Sequence, residues 1–123
     1  MTAPVQKVII TGASSGIGRA LAQEYAGRGA TLGLIARRAD LLTSLPVRSY
    51  TYALDVTDAG SLAAAAEHFM GRAGCPDIVI ANAGVSAGTL TGHPEDNAVF
   101  EEIMATNVFG MMLTFQPFVE AMK

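Results

Sequence analysis

A chain of 123 residues, half of them apolar, is long enough for one packed domain over residues 1–123, and it carries a formal charge of −3 with a pI near 5.2. That balance leaves no basic patch to neutralise nucleic-acid phosphates or anionic lipid heads, so neither nucleic acid nor a membrane is expected as a partner. The single cysteine, Cys75, has no mate for an internal disulfide and no zinc-type spacing, which fits a reducing, cytoplasmic setting without metal; its simplest role is a small buried residue opening a strand.

Val5 to Thr11 is a short apolar run between Pro4 and Gly12, as expected of a strand buried on both faces. The apolar residues before the turn are too few for a signal-peptide core, and later apolar runs are broken by glycine or polar residues before the roughly 18 positions of a membrane span. Thr11 to Gly18, Thr-Gly-Ala-Ser-Ser-Gly-Ile-Gly, then reads as a phosphate cradle. A strand turns sharply into a helix here: Gly12 supplies dihedral freedom, and Gly16 and Gly18 remove side chains that would block a pyrophosphate or the strand packing. From Ile17 the helix points bare N–H groups at the anion, while Ser14 and Ser15 offer hydroxyl donors or serve simply as turn residues. Ala20, Leu21, Tyr25 and Ala26 recur at helical spacing until Gly27 and Gly29 end the helix. Thr31 to Ala36 forms the second strand, followed by Arg37 and Arg38 where NAD-preferring folds place an acid for the ribose 2′-hydroxyl. The next carboxylate, Asp40, is expected to cap a short helix near Leu41. An arginine fork suits a 2′-phosphate, with Arg37 the better placed of the two; otherwise the pair are solvated surface charges.

Arg48 to Val56, after Pro46, alternates loosely and is rich in Tyr, Thr and Val, which predicts a third strand closed by Asp55-Val56. Asp58 caps the next helix, whose Leu62, Ala66, Phe69 and Met70 share one face before the Gly71 to Gly74 stop; His68 is expected at the surface or the core edge. Asp77 to Ala81 is the fourth strand, and Asn82-Ala83-Gly84 falls at its carboxyl end, where open α/β sheets bind ligands. Val85 to Asn97 reads as a polar loop with His93 on its surface. In the last segment Phe100, Ile103, Met104, Val108, Met111, Met112, Phe115, Val119 and Met122 are too many for one surface-helix stripe, and Asn107 is a poor helix former at its centre.

The Thr-Gly-x-x-x-Gly-x-Gly pattern, then Asn82-Ala83-Gly84, then Asn107, in that order and at these separations, resembles the short-chain dehydrogenase/reductase family along the whole chain. The resemblance implies an α/β fold, a Rossmann-type doubly wound parallel sheet truncated to strand order 3-2-1-4, and hydride transfer between NADP, with NAD less expected, and a small alcohol or carbonyl substrate. It implies that Gly12, Ser14, Ser15, Gly16, Ile17 and Gly18 meet the phosphates and that Asp55 and Val56 lie against adenine. Asn82 would steady the central strand while Ala83 and Gly84 run along the nicotinamide ribose. Asn107 would be catalytic, ordering a water that links the active-site lysine to solvent, unless it only bonds within its own helix turn. The long apolar helix would meet a partner subunit in a homo-oligomer. The family's catalytic serine and Tyr-x-x-x-Lys do not occur: Tyr25, Tyr50 and Tyr52 are followed four residues on by Gly29, Leu54 and Val56, and the only lysines are Lys7 and Lys123. The expectation is therefore an N-terminal fragment of an oxidoreductase, inactive by itself. The alternative is a non-catalytic nucleotide-binding module, or a half-enzyme completed by a partner chain.

Overall fold

In the computed structural model, which describes residues 5–43, 49–85 and 87–123, β1 (Lys7–Thr11) is the central strand. It pairs in parallel with β2 (Thr31–Ala36) on one side and β4 (Ile78–Ile80) on the other, and β3 (Ser49–Ala53) joins the far side of β2. The sheet order is β3-β2-β1-β4, as the sequence predicts. Parallel neighbours need a crossover, and helices α1 (Gly16–Gly27), α2 (Ala39–Thr43) and α3 (Ala59–Ala73) supply them.

Both faces of the sheet are covered. Val8, Ile10, Leu32 and Leu34 form one core with Ala22 of α1 and Leu42 of α2, while Ile9 and Ile35 form the other with Leu62, Ala66 and Phe69 of α3. Successive strand residues point to opposite faces, so a strand covered on both sides must be apolar at every position, which is why β1 reads as an unbroken Val-Ile-Ile run. Gly33 leaves room for the second core: a Cβ there would lie 2.5 Å from Ile9 Cδ1 and 2.9 Å from the Phe69 ring.

Several boundaries differ from the sequence reading, each for a local reason. β1 starts at Lys7 because the pairing with Thr31 begins there, and Val5 is 57 % exposed beyond it. Pro4, Pro46 and Arg48 lie outside the described residues. β3 ends at Ala53 rather than Val56, and β4 is confined to Ile78–Ile80, as both chains leave the sheet to line the site. Ile17 and Ala20 face solvent, so Gly18 and Ala22, with Leu21, Tyr25 and Ala26 partly buried, make the packing face of α1. Asp40 does not cap α2. It sits inside the first turn and its carboxylate accepts from Arg38, which holds its pKa below the ordinary value. Cys75 is exposed, with its thiol donating to Ala121 O at 3.2 Å.

The chain past β4 runs through a one-turn helix at Pro94–Asp96 into α4 (Asn97–Met104), a wide π turn (Ala105–Phe109) and α5 (Gly110–Met122). Its buried residues are Thr106, Gly110, Thr114 and Phe118, a ridge at spacing four, and Phe118 enters the Phe69 core. Met104, Val108, Met111, Met112, Phe115, Val119 and Met122 are exposed, so the face that docks is the one with small and hydroxyl side chains. Unlike the sequence expectation, the helix from Pro94 to Met122, whose most apolar 18-residue stretch has a mean hydropathy of 1.2, is long and apolar enough to cross a membrane by length and composition alone. The residues interrupting its apolar run from Ile103 to Val119 are uncharged, and the helix continues through them, Pro117 included.

Candidate nucleotide site at the carboxyl end of the sheet

The β1–α1 turn is shaped by two glycines with φ of +64° (Gly12) and +55° (Gly16), a region that side chains other than glycine's rarely adopt. A Cβ on Gly12 would also lie 2.9 Å from Ala83 Cα, so this glycine serves both dihedral and approach. Gly18 is packed directly under the Gly12 carbonyl and beside Asn82. Gly16 faces open space, with no protein atom within 4 Å of the position its Cβ would take. Ser15 is the N-cap of α1 in extended conformation, yet its side chain makes no capping bond, and no acidic residue stands in the first turn. The contrast is α3, where Asp58 accepts from Ser61 N at 3.1 Å. An uncapped N-terminus keeps its positive partial charge and donors available to an anion.

Thr11, 1 % exposed at the end of β1, ties this turn to the one after β4: its hydroxyl oxygen accepts from Asn82 N (2.9 Å) and Ala83 N (3.0 Å). Asn82 returns the link by donating from Nδ2 to Gly12 O at 3.3 Å. Asn82 thus ties the turn after β4 to the turn after β1, and Thr11 is a participant that the sequence reading passed over although it stands directly before Gly12. Asn107, central in the π turn, neither bonds within its own helix nor stands free. Its Oδ1 accepts from Val85 N (2.8 Å) and its Nδ2 donates to Val85 O (2.9 Å), a two-point clamp on the loop after β4.

These turns enclose a cavity of about 250 Å³. Gly12, Ser14 and Ser15 line its floor; Arg37 and Arg38 stand at the end of β2; Asp55 and Val56 follow β3; Ala83 and Gly84 follow β4. Gly16, Ile17 and Gly18 begin α1 beside it, and Asn82 and Asn107 hold its walls from behind without lining it. Leu41, Leu54, Val85 and Thr106 also line it, apolar or small residues whose pattern gave no sequence signal. Arg38 is engaged with Asp40 at 3.0 Å, whereas Arg37 has no ion pair among the described residues. Asp55 Oδ1 accepts from Thr57 N (2.9 Å) and Thr57 Oγ1 (2.8 Å), and these bonds, helped by the nearby Arg37 charge, hold its carboxyl below the ordinary value. Its Oδ2 has no protein partner among the described residues. None of the three tyrosines lines the cavity. Among the described residues no three His, Cys, Asp or Glu side chains come together as metal ligands would.

The family model for short chain dehydrogenase matches residues 6–123. The chain is 37 % identical to 11-beta-hydroxysteroid dehydrogenase A of Sesamum indicum over 84 % of its own length and 32 % of that protein's. It is 36 % identical to the NADPH-dependent pterin aldehyde reductase of Arabidopsis thaliana over 94 % of its length and half of that protein's. The alcohol dehydrogenase from the archaeon Thermococcus sibiricus, solved with 5-hydroxy-NADP, superposes with a TM-score of 0.82 at 30 % identity, over 96 % of this chain and 53 % of that one. The chain thus spans from about a third to about half of the length of these three proteins.

Proposed function

The chain belongs to the short-chain dehydrogenase family, and from that membership we propose that it is the cofactor-binding part of an NADP-dependent oxidoreductase acting on a small alcohol or carbonyl compound. The observation that carries the proposal is the uncapped N-terminus of α1 opening on the cavity beside Gly16, with Arg37 and Asp55 at the cavity's other end. The residues present fit a phosphorylated dinucleotide. Bare N–H groups at the α1 start receive phosphate charge, Arg37 receives a 2′-phosphate, and the unpartnered Oδ2 of Asp55 accepts from an adenine amino group. Such a cofactor, when bound, supplies the hydride that is exchanged with the substrate carbon. The chain's own contribution is to hold that cofactor and exclude water from it. Thr11, Asn82 and Asn107 act as positioning residues, since each fixes the backbone of a lining turn.

The proton for a carbonyl oxygen must then come from outside residues 1–123, because these contain no Tyr-x-x-x-Lys and no tyrosine at the cavity. Purified 123-residue chain with NADPH and a panel of aldehydes and ketones is expected to show no cofactor oxidation above background. Turnover that scales with its concentration would locate an acid within the chain. Cofactor choice is tested on the full-length protein: NADP is expected to bind one to two decades more tightly than NAD through a charge-assisted bond of roughly 1.5–3 kcal/mol. Arg37→Asp should invert that order, and an unchanged order removes Arg37 from the site. The exposed free thiol of Cys75 supports a reducing, cytoplasmic setting as part of the same proposal.

A further inference from the structure

Gly110 opens α5 with ordinary helical dihedrals, φ −60° and ψ −35°, where alanine is the better helix former. Its backbone does not call for glycine; its surroundings do. A Cβ at this position would lie 2.6 Å from Val56 Cγ2, and Val56 is a buried residue that lines the cavity. Immediately before it, the π turn places Thr106 in the cavity wall and Asn107 on the Val85 backbone, so this part of the helix touches the loops after both β3 and β4. The helix has little freedom to back away: Phe118 is 2 % exposed in the core and Asn107 is clamped on the Val85 backbone. An added methyl at Gly110 therefore moves Val56, and the free space next to Val56 is the cavity.

We propose that Gly110 is a positioning residue for the adenine end of the nucleotide, its missing side chain letting Val56 rest on the helix backbone and stay out of the cleft. The inference builds on the nucleotide reading given above, and the test separates the two. NADP and its adenine-end fragment adenosine 2′,5′-bisphosphate are titrated into the full-length protein and into Gly110→Ala, Val56→Ala and the double variant, with thermal midpoints recorded for each. Gly110→Ala is expected to weaken both ligands by about tenfold or more, whereas the same change in the Val56→Ala background weakens them by less than about threefold, because the obstructing methyls are gone. Equal losses in the two backgrounds, no loss at all, or a loss confined to NADP with the fragment unaffected each overturn the inference and leave the nucleotide reading standing. If Gly110→Ala does not fold, the double variant must fold and bind, and its failure overturns the inference too. A parent protein that binds neither ligand overturns both.

Discussion

Replacing Thr11 by valine keeps the volume of the side chain and removes one oxygen, the acceptor shared by Asn82 N and Ala83 N. Two partly buried donors would lose their partner, so Thr11→Val is expected to lower stability by about 1–3 kcal/mol in urea titration; a loss under about 0.5 kcal/mol would mean the donors find water or another acceptor. Asp55 makes a prediction in pH. Its folded pKa is depressed, first by the Thr57 N–H and hydroxyl bonds. Its stabilisation is therefore fully present above the ordinary value of 3.8 and is lost as pH falls through the lower folded value. Asp55→Asn should lower the thermal midpoint at neutral pH, and the gap from the parent should close below pH 3.8. A gap that persists unchanged in acid would assign the effect to something other than the charge.

At the scale of elements, one side chain fixes the last helix to the sheet. Phe118, at 2 % exposure, packs with the cluster around Phe69, and Phe118→Ala should cost about 3–5 kcal/mol, read as a lower urea midpoint. A small loss would mean that the ridge of Thr106, Gly110 and Thr114 suffices. The strands of the doubly covered sheet were legible in the sequence as short apolar runs, their order only through the resemblance that the glycine and Asn-Ala-Gly motifs carry, and the Asp58 cap because its spacing to Ser61 is local. The docking face of α4 and α5 was not legible. An all-round apolar helix gives no preferred stripe, and the choice fell on the small residues that allow close approach to Val56. For the same reason the sequence singled out Asn107 but not Val85, the backbone it clamps, since a side chain bonding to backbone leaves no mark in the partner's identity. Cys75 is exposed where a buried strand opening was expected, because β4 begins only at Ile78 and leaves Cys75 in the connection after α3.

For the molecule as a whole, the side of α5 turned away from the sheet carries Met111, Met112, Phe115, Val119 and Met122 in the open, and β4 is an edge strand. The 123-residue chain is therefore expected to self-associate, with light scattering giving a mass above 12.7 kDa that falls on dilution; a single 12.7 kDa species throughout would show that α5 folds over the edge. The bond between Thr11 and Asn82 joins residues 71 positions apart. On a ribosome adding about 5–20 residues per second, the β4 side of β1 waits roughly 4–14 s after β1 is made before its partner strand exists. During that interval Val8, Ile9 and Ile10 present an apolar edge with open N–H and C=O groups. Slowing synthesis between codons 12 and 78 should then lower soluble yield more than the same delay placed after codon 85, because only the earlier pause prolongs the time that this strand spends half-paired.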